Sequence, residues 1–215
     1  MVETKQQLLI DVSHELRSPI ARMKLTVELL PEGKNRGRLF SNLGELERMV
    51  SDLLEAARLE KGLTLASLDL RELVEECQRT YAEQAPGLDV DRGEGLVIQG
   101  DLDRLRSVLR NVVENAIKYS NAAPRPIEIR LRRDAAGALL TVRDYGIGIP
   151  PGEMERVFEP FYRVDKSRSK SSGGYGLGLS LCRKIMAAHG GVIELTSEVG
   201  QGTTVSLRFP PLPIL

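Results

Sequence analysis

The sequence contains no tryptophan, and aromatic residues make up only 4% of its 215 residues. A chain of this kind offers few side chains on which nucleic-acid bases can stack. Its 30 Lys and Arg are balanced by 30 Asp and Glu, so no excess of positive charge points to nucleic acid or to a membrane surface. We therefore expect neither nucleic-acid binding nor membrane contact from this segment.

Two cysteines, Cys77 and Cys182, stand far apart in the sequence and form no CxxC pair. This usage favours free thiols in a reducing compartment over a disulfide framework. No apolar run approaches the roughly 20 residues of a membrane-spanning helix, and the N-terminus MVETKQQLLI lacks the apolar region of a signal peptide. The sequence predicts a cytoplasmic segment, and it leaves open that this segment belongs to a longer protein.

Residues 1–62 carry two apolar stripes whose steps are mostly three and four residues, which is typical of amphipathic helices. Pro31, Gly33 and Gly37 break the pattern between the stripes. Two helices joined by a short loop lie antiparallel, and a single hairpin has no second layer that covers its stripes. We expect a symmetric homodimer that forms a four-helix bundle, with packing against the downstream domain as the alternative. The stripes are formed by Leu9, Val12, Leu16, Ile20, Met23, Val27 and Leu30, and by Leu39, Leu43, Leu46, Val50, Leu53 and Ala57.

Residues 63–215 mix helix and strand patterns, which predicts an α/β sandwich with one helix layer on a mixed sheet. Asp69 and Asp101 are expected to cap helix N-termini. The glycine-, serine- and lysine-rich stretch at about 150–175 is long for a loop within a compact domain, and such loops are usually lids or binding loops. The expected helices cover 70–84, 102–119 and 178–188 with a short piece near 154–158, and the expected strands cover 64–67, 96–99, 127–131, 138–143, 192–197 and 203–209.

A histidine followed closely by a proline marks the first predicted helix, in the stretch DVSHELRSPI. The heptad pattern places His14 on the outer face, beside Glu15 and with Ser18 one turn further on. Pro19 cannot donate to the Glu15 carbonyl and its ring crowds that carbonyl, so we expect a bent or loosened turn near His14. On its own, such a histidine is more often only an exposed side chain. His189, at the end of a predicted helix in AAHGG, is instead expected to cap the last carbonyls.

The stretch NVVENAIKY at 111–119 places four polar residues on one stripe of an otherwise apolar helix. Amide and carboxylate oxygens suit a hard cation such as Mg²⁺, and an ammonium group beside them would attract phosphates. A solvated helix face is the alternative interpretation. The stripe consists of Asn111, Glu114, Asn115 and Lys118.

Two glycine-rich stretches complete the candidate site. In DYGIGIP, Asp144 follows a predicted strand and precedes Gly146 and Gly148, which let the backbone approach a ligand. Its carboxylate either accepts a hydrogen bond from an amino group such as that of adenine or stabilises a turn. In SSGGYGLGLS at 171–180, glycines precede a predicted helix whose first amides favour phosphate, with a flexible linker as the alternative. This is no Rossmann pattern, because Leu179 stands where the third glycine belongs, and the sequence has no GxxxxGK[ST] motif.

In combination these motifs resemble those of bacterial sensor histidine kinases of two-component systems. DVSHELRSPI resembles the histidine box, NVVENAIKYS the asparagine box, DYGIGIP and GGYGLGLSL the two glycine boxes, FEPFYR the phenylalanine box and GQGTTVSL the final glycine–threonine strand. They occur in the family's order and span nearly the whole chain. The resemblance implies a dimerisation and histidine-phosphotransfer hairpin at 1–62, and an ATP-binding domain of the Bergerat type at 63–215 with its lid at about 150–175.

The resemblance, carried over position by position, implies catalytic roles for three residues of the hairpin. His14 corresponds to the phosphoacceptor and Glu15 to the acid that accepts the imidazole proton. Ser18 stands where many members have threonine, at a position tied to dephosphorylation of the partner, so phosphatase activity is a further expectation. The implied cofactors are ATP and Mg²⁺, and the implied partner is a response regulator that receives the phosphoryl group on an aspartate.

The resemblance also implies a nucleotide site in the second domain. Asn115 corresponds to the Mg²⁺ ligand and Asp144 to the carboxylate that recognises adenine, while Arg168 lies where the lid often supplies a cation. Phe158 and Phe161 either anchor the lid or pack in the core. The other implied nucleotide contacts are Asn111, Lys118, Tyr119, Gly146, Gly148, Gly174, Gly176, Leu177, Gly178 and Thr204.

Two other functions would use a related nucleotide site. Type II topoisomerases and MutL use a related pocket to hydrolyse ATP with a glutamate-activated water, and Glu114 lies near such a base, but a hairpin bearing His14 argues against that reading. A nucleotide-binding scaffold without activity is the second rival, which the full set of expected site residues disfavours. The loop at 31–37 would decide between phosphorylation in cis and in trans, which the sequence leaves open. The resemblance further implies the cytoplasmic portion of a membrane-bound sensor kinase.

Overall fold

A computed structural model describes residues 2–59, 62–91, 93, 95–120, 125–164 and 175–211, with the side chains of residues 2–11, 13 and 14 left out. Helix α1 (Val2–Glu28) and helix α2 (Lys34–Leu59) pack along each other. Lys24 of α1 forms an ion pair with Glu47 of α2. Because the chain reverses within a few residues, the helices are antiparallel, and the predicted hairpin is confirmed. Gly37 lies inside α2, so the expected break at this position is wrong.

Each apolar stripe of the hairpin divides into two series with a seven-residue spacing. One series is buried, and the other, among the described side chains and apart from half-buried Leu53, remains exposed on the hairpin surface. The exposed side chains include Leu16 and Met23 of α1, Leu30 just after α1, and Leu39 and Leu46 of α2, which are 39–46% exposed. The buried side chains are Ile20 and Val27 of α1 and Leu43, Val50 and Ala57 of α2.

The remaining chain forms a mixed five-stranded sheet in the order β2-β4-β5-β7-β6, plus a separate β1-β3 pair. Strand β2 runs parallel to β4, and the other pairs in the large sheet are antiparallel. This confirms the predicted α/β architecture with a mixed sheet. The strands are β1 (Ala66–Asp69), β2 (Leu88–Asp91), β3 (Val97–Gly100), β4 (Ile127–Asp134), β5 (Gly137–Arg143), β6 (Val192–Glu198) and β7 (Gly202–Phe209), and the helices are α3 (Leu70–Thr80), α4 (Leu102–Tyr119) and α5 (Gly178–Ala188).

Both expected N-caps are confirmed. The Asp69 side chain accepts a hydrogen bond from the Arg71 amide at 2.9 Å, and the Asp101 side chain accepts one from the Arg104 amide at 3.3 Å. Helix α3 ends at Thr80, four residues before its predicted end. The predicted short helical piece consists of two 3₁₀ turns, Pro151–Glu153 and Arg156–Phe158.

His189 closes α5 as predicted, and it also joins α5 to α4. Its Nδ1 lies 2.8 Å from the Ile185 carbonyl oxygen, and its Nε2 accepts a hydrogen bond of 3.0 Å from the Asp101 amide. Since an amide can only donate, the ring proton in this arrangement belongs on Nδ1 and is donated to Ile185. The other carboxylate oxygen of Asp101 accepts a 3.0 Å hydrogen bond from the Thr64 amide, at the start of the second domain. The domain boundary at residues 62 and 63 stays a prediction.

Candidate functional site

Asp144 follows β5 directly and is 7% exposed. Its Oδ1 accepts hydrogen bonds from the Gly146 amide at 2.9 Å and the Thr203 amide at 3.2 Å. Burial raises the pKa of the carboxyl group, and these two amide bonds oppose that shift. Both bonds fall on Oδ1, so within the described part of the chain Oδ2 is the oxygen left to accept a hydrogen bond from a ligand.

The backbone amide of Thr203 reaches this carboxylate, and the role of its neighbour Thr204 as a nucleotide contact stays a prediction. Thr204 pairs with Arg143 across the β5–β7 ladder, while its neighbour Val205 is buried in the core. Because side chains alternate along a strand, Thr204 lies on the sheet face opposite Val205 and opposite Thr203. The sequence GQGTTVSL contains two adjacent threonines, and only the register of β7 shows whose amide faces Asp144.

Two glycines allow close backbone contacts around the site. A Cβ atom at Gly146 would lie 2.2 Å from the Tyr119 carbonyl oxygen, and one at Gly178 would lie 2.8 Å from Asn111 Oδ1. At Gly146 the obstructing atom belongs to the backbone, so only glycine permits this approach, whereas at Gly178 a Cβ atom would require the Asn111 side chain to shift. The end of α4 is thereby held against the turn after β5, and the first residue of α5 against Asn111. Gly148 lies next to the Glu198 carbonyl.

The predicted polar stripe of α4 divides between two surroundings. Asn111 donates from Nδ2 to the Ser107 carbonyl at 3.0 Å and faces Gly178, and half-buried Asn115 lies on the following turn. Glu114 instead accepts a 3.2 Å hydrogen bond from the Tyr81 hydroxyl. The expectation that all four residues form one stripe facing a single site is therefore wrong for Glu114.

Lys118 and Tyr119 form the last turn of α4. Burial lowers the pKa of Lys118 to about 8, and the positive charge of Arg163 contributes to the shift, while Glu45 opposes it. The Lys118 ammonium group lies 4.9 Å from the centre of the Tyr119 ring. Tyr119 is 41% exposed, so its ring is open to a ligand beside the turn after Asp144.

The two phenylalanines beside the lid differ in their surroundings. Phe158 is buried in the core, with the Arg183 guanidinium 5.2 Å from its ring centre. Phe161 is 62% exposed at φ 65°, and its amide donates to the Gly176 carbonyl at 2.9 Å. Core packing therefore describes Phe158, while Phe161, within the predicted lid, is bonded through its backbone to Gly176 just after the lid. Arg168 and Gly174 lie outside the described residues.

The N-terminus of α5 completes this side of the candidate site. Leu177 occupies the N-cap position, and its carbonyl accepts hydrogen bonds from the Leu181 amide at 2.9 Å and the Ser180 hydroxyl at 2.7 Å. Gly178 is the first helical residue, and Gly176 precedes the cap at φ 75°. Amides at such a helix start are suited to bind an anion.

On the hairpin, Glu15 and Ser18 are exposed, and the His14 side chain lies outside the described residues. Helix α1 continues through Pro19 without interruption. Pro19 therefore does not interrupt the helix near His14. The structure brings Asp144 and Gly146 against Tyr119 at the end of α4, and it places Gly178 against Asn111 of the same helix.

Comparison with protein families matches both parts of the chain. The model described as "His Kinase A (phospho-acceptor) domain" matches residues 4–62, and "Histidine kinase-, DNA gyrase B-, and HSP90-like ATPase" matches residues 100–213. The chain belongs to the sensor histidine kinases. Within the part of this histidine kinase that the structure describes, no helix has the length and apolar character needed to span a membrane.

Curated relatives include two mycobacterial sensor kinases. "Sensor-like histidine kinase SenX3" of Mycobacterium tuberculosis (strain ATCC 25618 / H37Rv) is 34% identical over 229 residues, covering 99% of this chain and 55% of SenX3. "Sensor histidine kinase MtrB" of Mycobacterium leprae (strain TN) is 35% identical over 218 residues, covering 93% of this chain and 38% of MtrB. The chain thus spans about half the length of the SenX3 relatives.

Solved structures of similar fold are also histidine kinases. Full-length ShkA in complex with AMPPNP has a TM-score of 0.74 at 25% identity, covering 97% of this chain and 47% of ShkA. "Mycobacterial sensor histidine kinase MprB" has a TM-score of 0.59 at 27% identity, covering 70% of this chain and all of that chain. The first similarity extends across both the hairpin and the α/β domain.

Proposed function

We propose that the chain phosphorylates His14 with ATP and passes the phosphoryl group to an aspartate of a response regulator. The observation that carries this proposal is the buried Asp144 carboxylate with Oδ2 left as an acceptor, together with a helix N-terminus suited to phosphate that lies against Asn111 of α4. A glutamate-activated water is disfavoured, because Glu114 is engaged by Tyr81.

In this proposal Asp144 accepts a hydrogen bond from the adenine amino group, and the glycine turn lets the base approach the backbone. Lys118 and the first amides of α5 contact the phosphates, with Arg168 of the lid as a further cation. Tyr119 and Thr204 flank the base, and the Thr203 amide holds the Asp144 carboxylate in place.

Mg²⁺ fits the donor groups on α4. Within the described residues no three His, Cys, Asp or Glu side chains form a cluster that would hold a metal. Amide oxygens suit a hard cation, so the Asn115 amide oxygen would hold Mg²⁺ together with phosphate oxygens and water. Asn111 lies one turn away on the same helix. When bound, Mg²⁺ neutralises phosphate charge that develops during transfer.

The hairpin residues carry the transfer step. The neutral imidazole of His14 forms a bond to the γ-phosphorus while the bond between that phosphorus and the bridging oxygen of ADP breaks. Exposed Glu15 accepts the ring proton as the imidazole gains positive charge. Ser18, exposed one turn later, orients the water that removes the phosphoryl group from the regulator in the phosphatase reaction.

The proposed assembly is a homodimer. Leu16, Met23 and Leu30 of one protomer would pack with Leu39 and Leu46 in a four-helix bundle, because each helix leaves a heptad-spaced series uncovered. We place the chain in the cytoplasm as part of a membrane-bound sensor kinase, as the resemblance implies.

Radiolabelled autophosphorylation tests the proposal directly. The parent chain should incorporate label from γ-labelled ATP in an acid-labile, base-stable form and pass it to a member of a panel of response regulators. His14→Gln should abolish labelling while ATP binding, measured by calorimetry, stays unchanged. Equal labelling of His14→Gln and the parent would contradict the assignment of His14, and release of free phosphate without a phosphoprotein would favour the ATPase alternative.

A further inference from the structure

The glycine turn, residues 144–150, is fastened to the hairpin formed by β6 and β7. At the start of the turn, the Asp144 amide donates to the Thr203 carbonyl at 2.8 Å, and the Thr203 amide donates to the Asp144 carbonyl at 3.2 Å. In the middle of the turn, the Ile147 carbonyl accepts a 2.9 Å hydrogen bond from the Gly200 amide. Backbone groups of the β6–β7 hairpin therefore fix the start and the middle of the glycine turn.

The end of the glycine turn is held by a side chain, that of Ser197 on β6. The Ile149 amide donates to Ser197 Oγ at 2.8 Å. The Ser197 hydroxyl donates to the Gly202 carbonyl at 2.9 Å, and Thr203 Oγ1 lies 2.9 Å from the same hydroxyl oxygen. One hydroxyl group thus contacts the glycine turn and the first two residues of β7.

The hydrogen-bonding capacity of this hydroxyl is fully used. A serine hydroxyl donates one proton and accepts through two lone pairs. Because the Ile149 amide can only donate and the Gly202 carbonyl can only accept, the Ser197 proton belongs to Gly202. The Thr203 hydroxyl is then the donor to the second lone pair of Ser197. Half-buried Ser197 is therefore held in one orientation by three partners from two segments.

The register of the sheet places Ser197 beside the residue that holds Asp144. Ser197 and Thr203 are directly paired across β6 and β7. Their side chains share the sheet face on which Val205 is buried, because side chains alternate along a strand. The Thr203 amide also donates to Asp144 Oδ1 at 3.2 Å. Ser197 is therefore connected to the Asp144 carboxylate through a single residue.

Close backbone contacts make the glycine turn follow the position of the β6–β7 hairpin. A Cβ atom at Gly148 would lie 2.1 Å from the Glu198 carbonyl oxygen, and one at Gly202 would lie 2.0 Å from the Asp144 carbonyl oxygen. No space is left between the two backbones at these points, so a shift of one must displace the other.

We propose that Ser197 is a positioning residue for nucleotide recognition, whose hydroxyl holds the glycine turn and, through Thr203, the Asp144 carboxylate in register with the base. This inference rests on the proposed contact of Asp144 with the adenine amino group. Removal of the hydroxyl leaves the Ile149 amide, the Gly202 carbonyl and the Thr203 hydroxyl without this partner. The end of the turn is then released, and the hydrogen bond between Asp144 and the base is weakened.

Calorimetry of the whole chain with ATP and with inosine triphosphate isolates this hydrogen bond. Inosine triphosphate carries a carbonyl oxygen where adenine carries its amino group, and its ribose and triphosphate are the same. The ratio of the two affinities therefore reports the contact with Asp144 and not the contacts with the phosphates. The parent should bind ATP about 10- to 150-fold more tightly, as expected for a hydrogen bond to a charged group.

Ser197→Ala should lower the affinity for ATP about tenfold and that for inosine triphosphate about twofold, so the ratio should fall about fivefold. A purely structural loss would lower the folded fraction and reduce binding of both nucleotides equally. Ser197→Thr keeps the hydroxyl and should retain the parent's ratio. Ser206→Ala, which removes a hydroxyl from the opposite face of β7, is the matched control and should also retain it.

Thr203→Val provides a second test if Ser197→Ala does not fold. It removes one donor to Ser197 and keeps the Thr203 amide that contacts Asp144, so the ratio should fall about twofold.

Three results would overturn the positioning role of Ser197. The first is the parent's ratio in Ser197→Ala or, if that variant does not fold, in Thr203→Val. The second is an equal loss in Ser197→Thr and Ser197→Ala, which would show that the shape of serine and not its hydroxyl matters. The third is equal affinity of the parent for both nucleotides. This last result needs no variant, and it would remove the adenine contact of Asp144 together with the inference that rests on it.

Discussion

The hairpin and the ATP-binding domain bury their apolar side chains to very different extents. In the hairpin one cluster of fully buried residues comprises Ile20, Val50, Leu54 and Ala57, while large apolar side chains such as Met23 stay at the surface. The ATP-binding domain has a continuous core that includes α3, α4, α5 and the inner face of the sheet.

The two parts therefore obtain their stability in different ways. The ATP-binding domain covers its own core, and its site residues are positioned by backbone contacts such as that of Gly146 with the Tyr119 carbonyl. The hairpin presents its reactive residues on an exposed face and leaves an apolar series to be covered by a second copy. A substitution in one part should therefore affect the property of that part, dimerisation or ATP affinity, and leave the other unchanged.

The largest effect is expected from Met23→Glu combined with Leu46→Glu, one change on each helix of the uncovered series. A dimer buries both side chains twice, and burial of each is worth about 1.5–3 kcal/mol, so dimerisation should be lost. Sedimentation at micromolar concentration should show a monomer whose ATP affinity equals that of the parent. Leu65→Glu, at an exposed leucine outside the hairpin, is the matched control and should remain dimeric. A dimeric double variant would contradict the bundle.

Gly146→Ala is expected to have the opposite pattern of effects: nucleotide binding weakens and the dimer is retained. A Cβ at this position meets the Tyr119 carbonyl oxygen at 2.2 Å, so the backbone around Asp144 must move. ATP affinity should fall by about 100-fold, equivalent to about 2.7 kcal/mol, while the dimer persists. Gly152→Ala is the control, because nothing lies within 4 Å of a Cβ there. Unchanged nucleotide affinity in Gly146→Ala by calorimetry would remove this turn from the site.

His189→Ala tests the stability of the ATP-binding domain away from its site. The substitution leaves the Asp101 amide without its acceptor, and a buried unpaired donor costs about 1–3 kcal/mol. Urea unfolding should show a loss near 2 kcal/mol in this domain, with dimerisation unchanged. Lys184→Ala, at an exposed position on the same helix, should cost much less. Equal costs would mean that the imidazole bond contributes nothing.

The sequence predicted features that depend on local chemistry. The caps at Asp69 and Asp101 were predicted because a carboxylate before a helical pattern accepts first-turn amides wherever the helix packs. Strand β2 was missed, since two of the four residues of LDVD are aspartates and its pairing partner β4 lies far away in sequence. Aspartate is depleted in strands, so the local sequence does not favour one here.

The site required tertiary information at two positions. Glu114 lies on the same helical stripe as Asn111 and Asn115, and only the position of Tyr81 shows that its carboxylate turns away from them. Thr203 and Thr204 are adjacent in the sequence, and only the pairing of β5 with β7 shows which one reaches Asp144. The error at Glu114 arises because the partners of one polar stripe come from different distant segments, while the role of Thr204 stays a prediction.

The smallest effect is expected where the two parts meet, at Lys118. Because burial lowers the pKa of this lysine to about 8, its positive charge is present below that pH and is lost above it. If Lys118 contacts the phosphates, ATP affinity should fall about tenfold between pH 7.5 and pH 9, equivalent to about 1.4 kcal/mol. Lys118→Gln should bind more weakly at pH 7.5 and lose this pH dependence. Glu45→Gln should shift the parent's titration to lower pH, because Glu45 of the hairpin supports the charged form. An unchanged titration in Glu45→Gln would show that the hairpin does not influence the nucleotide site through this lysine.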